Sequence, residues 1–211
     1  MSYRYSFRRL KFKINLFREV IPVYKKYLLS INEYLNKSDY DFSVSDLNFK
    51  KGKVINENYV VISPSSRHFT KTYPAERFIQ FINSKPEKKF ILVGDKSEND
   101  LNICSIIEAK CKNVISMCGK LDMSELANVI NFSEYVICND SAIMHLSESL
   151  GKKVVAIFGS TVKEFGFFPQ LKDSKVLEVK DLKCRPCSHI GRDSCPKGHF
   201  KCMELQLKIN N

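Results

Sequence analysis

Short apolar runs alternate with helical periodicity along residues 59–179. The apolar runs are YVVIS (59–63), KFILVG (89–94), NVIS (113–116), YVIC (135–138), KVVAIFG (153–159) and KVLEV (175–179). Between them lie four segments with a helical pattern: one opened by Pro74, and others near 97–110, 122–131 and 141–150. Apolar runs separated by helices are typical of a parallel sheet that is buried on both faces. The pattern predicts an α/β fold over residues 59–211, a Rossmann-like parallel sheet with helices on both faces.

A different pattern precedes this region. Apolar residues recur at spacings of three and four along residues 3–35, which places them in one stripe on a helix. Pro22 is expected to break the stretch into two helices, and the other faces are strongly basic up to Lys26. Residues 1–36 are therefore predicted as basic amphipathic helices, and the polar, irregular residues 37–58 as a linker.

The charge distribution favours anionic partners. The chain has 211 residues, with 34 Lys or Arg against 23 Asp or Glu and a formal net charge of +11. Residues 1–30 hold eight basic residues and one acidic residue, which gives +7 of that total. Such a segment fits a helix packed on the domain, a helix lying on an anionic membrane, or a nucleic-acid arm. Nucleic acid is not expected as a partner, because basic and aromatic residues do not interleave outside this segment.

The sequence also indicates the cellular compartment of the protein. No apolar run approaches the roughly 20 residues that a membrane-spanning helix needs, and Lys11, Lys13 and Arg18 interrupt what would be a signal-peptide core. We expect a cytoplasmic protein with peripheral contact at the inner membrane. In that compartment the eight cysteines are expected as thiols or metal ligands rather than disulfides.

A first candidate site follows the YVIC strand. Asn139 and Asp140 turn the chain, Asp140 is a good N-cap, and Ser141 starts a helix. The free N–H groups at the start of that helix suit a phosphate. His145 lies one helical turn beyond Ser141 and faces the same way. An ordinary capped helix with an outward-facing histidine is the alternative interpretation.

A second candidate site follows the YVVIS strand. Residues 64–68 read Pro-Ser-Ser-Arg-His, and Lys71 lies just before a helix started by Pro74. Hydroxyl and cationic groups there make a pyrophosphate cradle, with Lys71 as its point charge. A basic surface loop is the alternative. A third strand ends at Gly94-Asp95, where glycine would let a ligand approach the backbone.

Several motifs occur together in a familiar order. They are Ser65-Ser66, Lys71-x-Tyr-Pro-x-Glu-Arg-Phe, LVGD, CGKLDMSELANVI, NDSAIMHLSESLGKKVVAIFGST and CRPC…CPKGHFKCM. In this order the chain resembles the ADP-heptose:lipopolysaccharide heptosyltransferase family over residues ~55–205. The resemblance implies the C-terminal, donor-binding half of a GT-B glycosyltransferase.

The resemblance also implies residue roles. Ser65, Ser66 and Lys71 would contact the donor diphosphate, and a second group would hold phosphate and sugar, namely Asp140, Ser141, Ala142 and His145. The family usually has glycine where this chain has Ala142. The added methyl group leaves less room for a phosphate to approach the backbone. No metal and no cofactor are expected.

The implied reaction is direct displacement, with inversion at the anomeric carbon, on an ADP-heptose-like donor. The acceptor would be a lipopolysaccharide-like or other surface glycan, and a nucleoside diphosphate would leave. In the family the preceding domain binds the acceptor and carries the general base, whereas only ~58 residues precede the matching region here. The chain is expected to be a donor half awaiting a partner chain, a truncated remnant or a reduced enzyme. The alternative is a nucleotide-binding or partner-binding domain without catalysis.

The cysteines near the C-terminus form a cluster within residues 184–202. Four thiols lie in this segment, at Cys184, Cys187, Cys195 and Cys202. A tetrahedral zinc site is one interpretation, but the spacing is not that of a common zinc finger. We favour reduced thiols in a folded loop and keep zinc, or a redox or disulfide role, as the alternatives. The other four cysteines are expected as small core residues.

Overall fold

The structure, a computed structural model, describes residues 20–35, 52, 55–206 and 209. Helix α1 spans Val23–Leu35 and begins directly after Pro22, a residue that fits helix starts but not helix interiors. The N–H group of Val23 donates to the carbonyl oxygen of Gly166 (3.0 Å), so the start of α1 is attached to the rest of the domain. The other predicted basic helix and most of the predicted linker lie outside the described residues.

A parallel sheet forms the centre of the described chain. Its strands are β1 (Tyr59–Ser63), β2 (Lys89–Leu92), β3 (Val114–Ser116), β4 (Val136–Asn139), β5 (Val154–Phe158) and β6 (Lys175–Glu178). The strand order is β3-β2-β1-β4-β5-β6, and every neighbouring pair is parallel. The predicted Rossmann-like sheet is therefore confirmed.

Helices connect the strands and cover both faces. They are α2 (Ala75–Asn83), α3 (Glu98–Lys110), α4 (Met123–Asn131), α5 (Ala142–Ser149) and, near the C-terminus, α6 (Lys201–Glu204), with single 3-10 turns at Phe69–Lys71 and Lys163–Phe165. Polar side chains fix two of the starts. Ser97 accepts from the N–H group of Asp100 ahead of α3, and Asp122 and Glu125 form a reciprocal capping box at α4.

Strand β1 contributes to a core on each face of the sheet. Val60 and Ile62 pack with residues of α2, α3 and α6, whereas Tyr59 and Val61 pack with residues of α4 and α5. Successive strand residues point to opposite faces, so a strand covered on both sides must be apolar throughout. This requirement explains the continuous apolar runs in the sequence.

The strand order reverses between β1 and β4, which lie side by side although β2 and β3 separate them in the chain. Ligands of such sheets bind in the crevice outside the carboxyl ends of the strands at this point. Both predicted phosphate corners, after β1 and after β4, therefore meet there. Among the described helices, none is long and apolar enough to cross a membrane.

Candidate functional site

An open cleft of about 1040 Å³ lies along the carboxyl ends of the strands. Its walls come from the segments after β1, β2, β3, β4 and β5 and from the cysteine-rich segment. All seven predicted donor-binding residues line it: Ser65, Ser66, Lys71, Asp140, Ser141, Ala142 and His145. The structure thus brings these seven residues together in one cleft, and their role in donor binding stays a prediction.

The corner after β4 differs from the sequence prediction in one respect. Ser141, not Asp140, is the N-cap of α5, and its side chain makes no capping hydrogen bond. The Oγ atom of Ser141 is buried and has no hydrogen-bond partner among the described residues. Because the first N–H groups of a helix have no carbonyl partner in the preceding turn, this corner presents unpaired donors to the cleft, as an anion site does.

Asp140 pairs with the other corner instead of capping the helix. Its Oδ2 atom lies 2.8 Å from Nζ of Lys71 and accepts a hydrogen bond from Oγ1 of Thr161 (2.7 Å). The side chains of Lys71 and Asp140 are only 15% and 9% exposed. The pair is thus shielded from solvent and holds the lysine ammonium beside the start of α5.

The corner after β1 is braced by a residue that the sequence analysis treated only as part of a turn. Asn139 is fully buried, and its Nδ2 atom donates to the carbonyl oxygens of Pro64 (2.8 Å) and Ser65 (3.2 Å). Its Oδ1 atom accepts from the N–H group of Tyr73 (3.0 Å). Asn139 therefore fixes both ends of the loop that carries Ser65, Ser66 and Lys71.

One end of the cleft lies beyond β2 and β3. Gly94 is closely packed there, since a Cβ atom would lie 2.7 Å from Oδ2 of Asp100. The neighbouring Asp95 has a pKa lowered by hydrogen bonds from the side chain and backbone of Ser97. Three apolar side chains complete this end: Leu121, Met123 and Leu126. Gly94-Asp95 was predicted from the end of its strand, whereas these apolar residues were not predicted, although they belong to the CGKLDMSELANVI motif.

The opposite end lies beyond β5 and is rich in rings. His145 meets the ring of Phe167 edge-on (centroids 6.1 Å apart), and His189 meets Phe165 in the same way (4.5 Å). Desolvation lowers the pKa of His145, against the opposing effect of the carboxylates of Asp140 and Glu148. His145 is therefore held toward its neutral form, in which one ring nitrogen donates and the other accepts.

The cysteine-rich segment packs on this end and reaches the cleft through His189 and Ile190, which the sequence analysis did not predict. All eight cysteines are free thiols. Burial and the neighbouring thiols of Cys187, Cys184 and Cys195 raise the pKa of Cys202 to about 12. Within the described ranges, however, no group of three or more His, Cys, Asp or Glu side chains is arranged to hold a metal. The zinc alternative for these four cysteines receives no support.

The family of the chain follows from comparison with known sequences. The profile of glycosyltransferase family 9 (heptosyltransferase) matches residues 10–196. A lipooligosaccharide heptosyltransferase 2 of Campylobacter jejuni subsp. jejuni serotype O:2 is 32% identical over 142 residues, which cover 66% of this chain and 43% of that protein. The family match begins well ahead of residue 55 and so includes part of the basic N-terminal region.

Solved structures support the fold. A family 9 glycosyltransferase from Veillonella parvula has a TM-score of 0.62 at 23% identity, and the match covers 80% of this chain and 52% of that one. E. coli heptosyltransferase WaaC with ADP has a TM-score of 0.53 at 16% identity, covering 56% and 37% of the two chains. The chain thus spans about half or less of the proteins that it resembles.

Proposed function

Because the chain belongs to glycosyltransferase family 9, we propose that it binds the nucleotide-diphosphate sugar of a heptosyltransferase. The observation that carries this proposal is the meeting of two corners at the point where the strand order reverses. Lys71 from one corner lies beside the open N-terminus of α5 from the other. A cation and unpaired amide donors in a shielded crevice suit a diphosphate.

The proposed reaction is sugar transfer from an ADP-linked heptose to a lipopolysaccharide-like or other surface glycan. Its support is the name of the Campylobacter relative, a lipooligosaccharide heptosyltransferase, and the ADP in the structure of WaaC. As the acceptor oxygen attacks the anomeric carbon, the bond from that carbon to the diphosphate breaks, and negative charge develops on the leaving diphosphate. Lys71 and the N–H groups of Ala142 and Ile143 would stabilise that charge.

We assign the general base to no residue of this chain. The reaction needs a group that accepts the proton of the acceptor hydroxyl, and we propose that an acceptor-binding domain supplies it, on this polypeptide or on a partner chain. The alternative function is a nucleotide-binding or partner-binding domain without catalysis. Release of ADP from ADP-heptose in the presence of acceptor glycan distinguishes the two.

The test of donor binding is calorimetric titration with ADP, UDP and GDP. We expect selective ADP binding that Lys71→Ala weakens by about tenfold to a hundredfold, the range expected for one lost charge-assisted hydrogen bond. Lys71→Arg should retain part of the affinity, because it keeps the charge. Lys112→Ala, which removes the charge of an exposed lysine outside the cleft, is the matched control.

Equal affinity of the wild type and Lys71→Ala for ADP would contradict the proposed site. Absence of binding to all three nucleotides would contradict the proposed function of the isolated chain.

We further propose peripheral contact with an anionic membrane through residues 1–30, whose excess of cations fits the inner surface where lipid-anchored acceptors lie. In the described part of this segment, Lys25 and Lys26 are exposed on α1. Flotation with anionic vesicles should recover the protein at low salt, and the double substitution Lys25→Gln, Lys26→Gln should reduce the bound fraction. Equal binding to neutral phosphatidylcholine vesicles would contradict this proposal.

A further inference from the structure

The cysteine-rich segment contributes His189 and Ile190 to the cleft, and the sequence motifs gave neither residue a role. We propose that His189, together with Phe165 and Phe167, forms the wall that contacts the sugar of the donor. This inference rests on the proposed function, since it requires a nucleotide-diphosphate sugar in the cleft. It adds a specificity-determining residue from a segment that lies far along the chain from both phosphate corners.

The position of the diphosphate sets the direction of the sugar. The proposed phosphate site lies between β1 and β4, in the middle of the sheet, and the cleft continues from it toward both edges. A diphosphate carries the nucleoside on one end and the sugar on the other. With the diphosphate in the middle of the cleft, we place these two groups toward its opposite ends.

The end beyond β2 and β3 has the chemistry of a nucleoside site. The carboxylate of Asp95 lines this end and can accept hydrogen bonds from a ribose diol, as acidic residues do in dinucleotide-binding folds. Leu121 and Leu126 add apolar surface that suits the flat faces of a purine. The sugar is thus left to the end beyond β5.

The end beyond β5 has the chemistry of a sugar site. Phe167 lines the cleft and is 43% exposed. His189 is also exposed, and its ring contacts that of Phe165. A pyranose has C–H groups that pack on aromatic rings and hydroxyls that hydrogen-bond to imidazole nitrogens. None of the described residues that line this end is a carboxylate, which suits an uncharged sugar next to a diphosphate.

A compact turn holds His189 and Ile190 at the cleft. The Oγ atom of Ser188 accepts from the N–H group of Gly191 (2.9 Å) and donates to the carbonyl oxygen of the same residue (2.8 Å). Gly191 has φ of +118° and lies so close to His68 that a Cβ atom would be 2.5 Å from that side chain. Only glycine fits this position, so the turn is closely packed against the corner after β1.

Two hydrogen bonds tie the same segment to the proposed phosphate site. The N–H group of Thr70 donates to the carbonyl oxygen of Arg192 (3.0 Å), and the N–H group of Arg192 donates to Oγ1 of Thr70 (2.8 Å). Thr70 is the neighbour of Lys71. The wall that carries His189 and the lysine that would hold the diphosphate are therefore fixed relative to each other, as a site for two linked groups requires.

The experiment compares calorimetric affinities for ADP and ADP-heptose in the full chain. We expect the wild type to bind ADP-heptose more tightly than ADP. The advantage of ADP-heptose is the ratio of its affinity to that of ADP. We expect His189→Ala and Phe167→Ala each to leave the ADP affinity unchanged and to reduce this advantage by about fivefold or more. His189→Gln, which keeps a hydrogen-bonding side chain, should restore part of the advantage. Lys197→Ala, at another exposed position of the segment outside the cleft, is the control.

The outcomes separate this inference from the function on which it rests. Loss of ADP affinity in His189→Ala, with Lys71→Ala still defective, would place the nucleoside on this end and overturn the inference alone. An unchanged advantage of ADP-heptose in both variants would also overturn it alone. Absence of ADP binding by the wild type would overturn both. Because both substituted side chains are exposed, unchanged thermal unfolding of the variants is the expected check on folding.

Discussion

The carboxylate of Asp140 shows how one residue can join two parts of the site. It lies at the end of β4, where a capping role was expected, yet its contacts run sideways to Lys71 and Thr161. The carboxylate of Asp140 thus keeps the ammonium group of Lys71 at the cleft. A diphosphate would then meet an ammonium group that is already in position. The lysine side chain would therefore lose little conformational entropy on binding.

Thr161 permits a test of this arrangement at the level of one hydroxyl group. Thr161 is buried, so Thr161→Val keeps the shape of the side chain and removes the donor to Asp140. We expect the free energy of unfolding to fall by about 1–3 kcal/mol, the cost of a buried acceptor that loses its partner. Urea unfolding followed by circular dichroism measures this change.

Thr161→Ser is the matched control, since it keeps the hydroxyl group and removes only a methyl group. It should be clearly more stable than Thr161→Val. Equal stability of the two variants would mean that the hydrogen bond to Asp140 contributes nothing.

At the scale of elements, the sequence was sufficient for the sheet and its helices. The apolar runs at 59–63 and 153–159 correspond to β1 (Tyr59–Ser63) and β5 (Val154–Phe158), because strands covered on both faces are apolar along most of their length. Ser97 and Asp122 begin helices as capping residues do, since short polar side chains satisfy the first N–H groups. These signals are local, so they can be read from neighbouring residues.

The parts of the site that escaped prediction depend on contacts between residues far apart in the chain. Asn139 donates hydrogen bonds to the carbonyl oxygens of Pro64 and Ser65, which follow the adjacent strand β1. Nothing in the sequence around Asn139 distinguishes it from an ordinary turn residue. His189 reaches the cleft only because the segment around it folds back onto Thr70. Such positions follow from packing of the whole chain, which periodicity and spacing do not report.

At the scale of the whole molecule, the cysteine-rich segment connects the sheet with one wall of the cleft. It begins beside the end of β5 and continues to α6, whose Met203 packs in the same core as β1 and α2. Along this path the N–H group of Cys187 donates to the carbonyl oxygen of Ser160 (3.2 Å). The segment thus contacts both the sheet and the cleft, and its attachment determines whether the cleft wall is fixed.

Arg185 is the main polar attachment of this segment. Its guanidinium is buried and donates to the carbonyl oxygens of Val179 (2.6 Å) and Thr161 (2.8 Å), as well as to those of Gly159 and Phe158. It also lies 3.1 Å from a carboxylate oxygen of Glu178. A planar fork of five donors is needed to reach so many acceptors, which a lysine ammonium does not offer.

Arg185→Met should therefore destabilise the protein strongly. It leaves several buried carbonyl oxygens and the carboxylate of Glu178 without their partner, and breaking a buried ion pair in this way costs about 3–5 kcal/mol. We expect a lower midpoint of urea unfolding and faster reaction of Cys202 with a thiol reagent in the native state, since that thiol is buried in the wild type. Lys197→Met, which removes an exposed ammonium group from the same segment, should change neither measurement appreciably. If Arg185→Met unfolded at the wild-type midpoint and left Cys202 protected, the apolar contacts of α6 alone would suffice to hold the segment on the sheet.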